Sequence, residues 1–275
     1  MVALPIGINT YSYIYTHSAL ECMMHLAGQG YRRFEVLVTP PHFWVPDLDA
    51  DQRRAMPRTL ADRGLAITSL NLPLLDGNLV APTPEVRRFT IDTFLGLIDV
   101  AGEWGVPNII VIPGRVSAFL PAPAEWLKGW LAEGLAEMAD HAEKAGVRLL
   151  IENVSLAYLP TTADILAALD AIGDERIGVI YDVANAFFSG EDPAEWLPKA
   201  KQRLHLVHLS DTPRSRWRHD PVGTGEVDFK GVAETLRAIG YDGPSMLEIV
   251  SPTPDRDIAE SQRLLAQWGW EGAAD

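Results

Sequence analysis

The stretch LHLVHLSD, residues 204–211, decides how the rest of the chain reads. Leu204, Leu206, Val207 and Leu209 make a short apolar run with little alternation, the pattern of a strand covered on both faces. The run closes on His208 and Asp211. A polar pair at the end of a buried strand either satisfies itself structurally or does chemistry where the strand ends.

Comparable runs recur along the whole sequence: LPIGIN (4–9), RFEVLV (33–38), AITSLN (66–71), NIIVIP (108–113), VRLLIEN (147–153), IGVIYD (177–182) and SMLEIV (245–250), eight in all with LHLVHLSD. Between them lie segments with apolar residues at three- and four-residue spacings. Those at 83–105 and 123–146 end on glycine, the residue expected just past a helix C-terminus. Segments 161–173 and 228–240 open on Thr and Asp as capping candidates and also end on glycine. Further helices fit 18–29, 50–63, 192–202 and 255–269. Eight strand–helix units predict an α/β fold, a (β/α)8 barrel with an outer ring of helices. A doubly wound open sheet is the alternative, but GINTYSY after the first strand is not its Gly-rich phosphate fingerprint. No composition shift or linker divides the chain, so residues 1–275 read as one barrel domain.

Size and charge agree. A barrel of this kind fills about 250 residues, and the chain has 275, of which 47% are hydrophobic. The net charge of −14 repels polyanions, which argues against nucleic acid or an anionic membrane surface as partner. The single cysteine, Cys22, excludes an intrachain disulfide framework and suits a reducing cytoplasm. MVALPIGINTYSY lacks the basic region and long apolar stretch of a signal peptide. No uncharged run approaches the ~18 residues of a membrane span.

Active sites of such barrels stand at the C-terminal ends of the strands. The fifth run ends in Glu152-Asn153, the sixth in Asp182, the seventh in His208, and the eighth carries Glu248. Taken singly, each could be a solvated acid, a helix cap or a hydrogen-bonded structural histidine, and Asp182 in particular could cap a turn. Their common phase in four successive repeats separates them from that reading. Three carboxylates beside one imidazole repel unless neutralised. One divalent cation would neutralise them, and an oxygen-rich donor set suits Mn²⁺ or Mg²⁺, with Co²⁺ also fitting.

IEN (151–153), YDVAN (181–185), LVHLSD (206–211), PVGTGEVDF (221–229) and IGYDGPSMLEI (239–249) together resemble the xylose isomerase-like TIM barrel superfamily. That group holds sugar isomerases and epimerases, inosose dehydratases, hydroxypyruvate isomerases and endonuclease IV proteins. The resemblance implies one divalent metal, Mn or Mg with Co or Zn as alternatives, held by Glu152, Asp182, His208 and Glu248. It implies further that Glu152 and Glu248 form the acid/base pair. The chemistry stands without the family: a metal chelating two adjacent oxygens of a hydroxy-ketone stabilises a cis-enediolate, and two carboxylates move the proton α to the carbonyl. His208 would then be a neutral ligand, its second ring nitrogen held by an acceptor such as Asp211.

Departures narrow the choice. Many relatives carry a histidine three residues after the sixth-strand aspartate, where this chain has Asn185, and Ile112 stands where endonuclease IV proteins use another. His219 does occupy the place of a third-metal histidine. With two of three positions missing, a trinuclear zinc nuclease is excluded. In the loop 213–229, Arg214, Arg216, Arg218 and His219 cluster beside Trp217. They read either as scattered surface charge or as an anchor for a carboxylate, phosphate or hydroxyls. Asn185, Arg218, His219, Glu35 and Arg115 are the substrate-binding candidates, with Asn9 and Asn71 as further pocket residues. Tyr11, Tyr13, Phe43, Trp44, Phe187 and Phe188 offer an apolar wall.

The leading expectation is therefore a metal-dependent isomerase or epimerase of a small sugar-like substrate, cytoplasmic and compatible with a homodimer. A metal-dependent dehydratase of an inosose- or dehydroshikimate-like substrate is the first alternative. A non-catalytic sugar-binding barrel is the second, and the presence of both Glu152 and Glu248 speaks against it.

Overall fold

In a computed structural model, which describes residues 3–73 and 77–272, the strand runs close on one another as a parallel barrel. The strands are β1 (Leu4–Asn9), β2 (Arg33–Leu37), β3 (Ala66–Asn71), β4 (Asn108–Val111), β5 (Arg148–Glu152), β6 (Gly178–Asp182), β7 (Leu204–Leu209) and β8 (Ser245–Leu247). Each pairs in parallel with the next, and β1 closes the ring by pairing with both β8 and β2. The registers align the site. Glu152 sits opposite Ile180, Asp182 opposite His208, and Leu209 opposite Leu247, the residue before Glu248. Four neighbouring strand ends, β5 to β8, thus bring their polar residues to one rim.

The expected helices form, trimmed at their ends: α1 (Ala19–Gly28), α2 (Ala50–Ala61), α3 (Pro84–Trp104), α4 (Ala124–Ala145), α5 (Thr162–Ile172), then α7 (Pro193–Ala200), α8 (Phe229–Ala238) and α9 (Pro254–Ala266). The capping residues act as read. Thr161 Oγ1 accepts from Asp164 N at 3.1 Å, and Asp228 Oδ1 from Gly231 N at 3.0 Å. Gly105 and Gly146 end α3 and α4 at φ 69° and 70°, a left-handed turn that favours glycine.

Two elements were not expected. A short helix, α6 (Val183–Ser189), starts directly from Asp182. A ninth strand, β9 (Trp270–Glu271), pairs in parallel with β1 at Leu4 and Pro5, so that α9 stops at Ala266 rather than 269. Trp270 is fully buried there and its indole donates to Ser245 Oγ at 3.1 Å.

The core has two parts. The larger lies between the barrel and its helices, and a smaller cluster of Ile110, Leu150, Ile180, Leu206 and Met246 stands apart from it. Those five come from consecutive strands, β4 to β8, and fill the barrel interior beneath the rim. Gly7 makes room for Met246: a Cβ at that position would lie 2.7 Å from the Met246 terminal methyl. Among the described residues, no helix is long and apolar enough to cross a membrane.

Candidate metal and active centre

The rim gathers Glu152, Asp182, His208 and Glu248, whose ligand atoms all lie within 4.8 Å of one another. All four side chains are buried. His208 turns Nδ1 toward the carboxylates, 2.9 Å from Glu248 Oε2, 3.1 Å from Glu152 Oε1 and 3.7 Å from Asp182 Oδ2. Its other nitrogen, Nε2, faces Glu35 Oε1 at 2.8 Å.

Asp182 divides its two oxygens between structure and site. Oδ1 accepts from Asn185 N at 2.6 Å and so caps α6. Oδ2 is buried with no hydrogen-bond partner among the described residues. A carboxylate oxygen desolvated without a donor is costly, and a cation is the ligand that would satisfy it. The donor set, three carboxylates and one imidazole, fits a hard divalent ion.

The groups of the cluster act on one another's charge. Burial works against a proton on His208, but Glu248, Glu35 and Glu152 raise its pKa well above the usual histidine range. Burial also pushes Glu152 up to about 8, opposed by His208 and reinforced by Glu248 and Asp182. Burial opposes ionisation of Asp182 and Glu35 as well. Asp182 is nevertheless held below the ordinary carboxylate range by His219 and His208, and Glu35 by His208, Ser69 and Asn71.

A second layer fixes these groups. Asn9 Nδ2 donates to Glu35 Oε1 at 2.6 Å and to Glu248 Oε1 at 2.8 Å, and Asn71 Nδ2 donates to Glu35 Oε1 at 3.1 Å. Ser69 Oγ donates to Glu35 Oε2 at 2.5 Å. Asn153, the last residue of IEN, clips β5 to β6: its Oδ1 accepts from Asp182 N at 2.8 Å and its Nδ2 donates to Asp182 O at 3.0 Å.

Beside the cluster opens a cavity of about 340 Å³ whose wall includes Glu152, Glu248, Asn185, His219, Arg115 and Tyr11. Trp217 and Asn71 also line it. Trp217 Nε1 donates to Asn185 Oδ1 at 2.5 Å. His219 Nδ1 lies 3.0 Å from Ser210 Oγ, 3.6 Å from Glu248 Oε2 and 3.8 Å from Asp182 Oδ2.

Several expectations change place. Asp211 does not hold His208; it is buried and accepts from the backbone N–H of Thr212, Gly223 and Val227 at 2.9, 2.9 and 3.0 Å. Glu35 takes the position facing His208 instead, behind the cluster and off the cavity wall. Arg218 points to Asp220, Nε to Oδ2 at 2.6 Å, and lies off the wall. Arg214 stacks on the Phe187 ring at 3.8 Å and donates to the Phe187 carbonyl. The loop therefore contributes Trp217 and His219 to the cavity rather than an arginine cluster. Of the aromatics, Tyr11 lines the cavity and Trp44 an adjoining one. Phe43 packs in the core against Trp104, and Tyr13 is buried with its hydroxyl on Asp255 Oδ1 at 2.6 Å.

Ser69 and Ser210 were not singled out from sequence. Each stands two residues from a named one, Asn71 and His208, on the same strand face, and that spacing was the available signal.

Comparison with known proteins follows the same line. A family model described as a xylose isomerase-like TIM barrel matches residues 25–268. Fructoselysine 3-epimerase of Shigella flexneri is 24% identical over 231 residues, covering 81% of this chain and 82% of its own length. The crystal structure of a D-tagatose 3-epimerase-like protein superposes with a TM-score of 0.83 at 22% identity, covering 96% of both chains. That of the IOLI protein, with a zinc atom bound, superposes with a TM-score of 0.80 at 17% identity, covering 97% of this chain and 98% of its own.

Proposed function

Since this chain belongs to the xylose isomerase-like TIM barrel family, we propose that it is a divalent-metal-dependent epimerase or isomerase of a small sugar or polyhydroxy ketone. The observation that carries this reading is the meeting of Glu152, Asp182, His208 and Glu248 at successive strand ends, ligand atoms within 4.8 Å. These four residues would hold the metal. A bound divalent ion would supply Lewis-acid polarisation of a carbonyl and its neighbouring hydroxyl, with Mn²⁺ or Mg²⁺ best suited to the donors and Co²⁺ or Zn²⁺ as alternatives.

Glu152 and Glu248 face the cavity as well as the cluster, and act as the acid/base pair. One carboxylate removes the proton on the carbon α to the carbonyl, and the other delivers a proton to the opposite face or to the neighbouring carbon. Asn9 holds Glu248 in place through its Oε1. Asn185, His219 and Arg115 bind substrate oxygens around the cavity, with Asn185 oriented by Trp217. The face of Tyr11 packs against sugar C–H groups. The relative of Shigella flexneri is named a fructoselysine 3-epimerase, which supports proton transfer over loss of water as the outcome.

Incubation of the Mn²⁺-loaded protein with ketohexoses in D₂O tests the reading. Epimerisation places solvent deuterium on the inverted carbon without loss of mass, and Glu152→Gln and Glu248→Gln abolish it while ketose binding remains. A product lighter by one water would establish the dehydratase instead. Binding without turnover, unchanged in Glu152→Gln, would establish a sugar-binding barrel.

A further inference from the structure

Next to the catalytic cavity lies a second chamber of about 270 Å³, and the two share Pro73 and Ile112 in their walls. The chamber is bounded by the segment after β2, by the residues flanking β3 on its C-terminal side, and by the early turns of α3. Val38, Trp44, Leu72, Phe89 and Phe94 are among its lining residues. None of its described lining residues carries a charge. Two of its three hydroxyls are turned inward: Thr90 Oγ1 donates to Val86 O at 2.7 Å, and Thr93 Oγ1 to Phe89 O at 2.8 Å. The contrast with the adjoining cavity, which presents Glu152, Glu248, His219 and Arg115, is one of charge.

A free sugar has a hydroxyl on nearly every carbon, and the described lining of this chamber offers such a group no charged partner, with two of its three threonine hydroxyls already bonded to backbone carbonyls; burying an unpaired hydroxyl there would be unfavourable. The chamber suits an apolar group, and its aromatic residues suit a ring, which packs edge-to-face or offset against other rings. Phe89 is 53% exposed at its mouth, apolar surface that a ligand would cover. The two cavities adjoin at Pro73 and Ile112, which places the chamber's occupant beside the sugar. We infer that the substrate is a ketose bearing an apolar, aromatic substituent, the sugar at the metal-ligand cluster and the substituent in this chamber. The inference rests on the epimerase reading for its sugar half.

The test compares D-fructose with 1-deoxy-1-phenylamino-D-fructose on the Mn²⁺-loaded wild type and on Trp44→Ala and Phe89→Asp. Phe89 is exposed enough for the second variant to fold if the first does not. The expected result is kcat/KM at least tenfold higher for the phenylamino sugar. That advantage falls to within about twofold in the variants, with D-fructose turnover unchanged. Equal kcat/KM for both sugars in the wild type overturns the chamber's role and leaves the epimerase reading standing. If neither sugar is turned over, calorimetric titration with the phenylamino sugar decides. Binding weakened about tenfold by Phe89→Asp supports the chamber although the epimerase reading has failed, and binding indifferent to both variants overturns it.

Discussion

Glu35 Oε1 lies 2.8 Å from His208 Nε2, on the side of the imidazole away from the three rim carboxylates. The contact is a close ion pair without the alignment of a hydrogen bond, it leaves Nδ1 toward Glu152, Asp182 and Glu248, and a buried carboxylate behind a ligating histidine raises its basicity as a donor. Glu35→Gln is expected to weaken Mn²⁺ binding by roughly 10–100-fold, measured by electron paramagnetic resonance titration. A purely structural Glu35 would lower the melting temperature and leave Mn²⁺ affinity unchanged.

The orphaned Oδ2 of Asp182 gives a second test. Mn²⁺ at 100 times its Kd should stabilise the wild type by about 2.7 kcal/mol through mass action, visible as a raised melting temperature. Asp182→Asn and His208→Ala should lose that rise, and elemental analysis should find about one divalent ion per wild-type chain and none in His208→Ala. A rise that persists in both would place the ion elsewhere.

Trp217 Nε1 donates to Asn185 Oδ1 at 2.5 Å on the cavity wall. In Trp217→Phe the indole donor is gone and Asn185 Oδ1, in a buried residue, loses its partner, at roughly 1–3 kcal/mol. KM is expected to rise several-fold with kcat less affected if Asn185 orients substrate, as proposed, rather than moving the proton. A fall in kcat at constant KM would assign Asn185 to the chemistry itself.

Cys22 tests the burial of α1. The thiol is buried, and that burial, with a smaller push from Asp255, raises its pKa to about 12. A thiol-disulfide reagent at pH 8 should therefore leave the native protein unlabelled and react with one thiol per chain in urea. The sign for stability follows: the fold keeps the proton that the unfolded chain releases near its ordinary pKa, so this group lowers stability as pH rises from about 9 to about 12. Rapid native labelling at pH 8 would contradict the packing of α1.

The barrel was legible because its strands are covered on both faces, and double coverage leaves an uninterrupted apolar run such as NIIV or GVIYD. The four rim residues were legible through phase, each standing where a run stops. β9 escaped because two residues, Trp270 and Glu271, are too few to show a period. α6 escaped because VANAFFS follows its strand without a break and takes its cap from Asp182, already assigned to another role. Asp211 and Glu35 exchanged expectations for one reason: proximity along the chain favoured Asp211 as the partner of His208. In space, barrel closure carries β2 across to it. Which arginines of 214–218 turn inward is decided by partners such as Asp220 and Phe187, which no local pattern reveals.

Asp211 carries a last consequence. Its carboxylate grips both ends of the loop, Thr212 at one side and Gly223 and Val227 at the other, and an antiparallel bridge joins Asp211 to Asp220. What lies between is a cassette on a fixed hinge plate. Its outer positions can be varied while Asp211 keeps both ends in place, whereas Trp217 and His219 carry the cassette's reach into the cavity and onto the rim carboxylates. Directed evolution for a new substrate has its natural starting library there, at positions 213–219, with Asp211 left untouched.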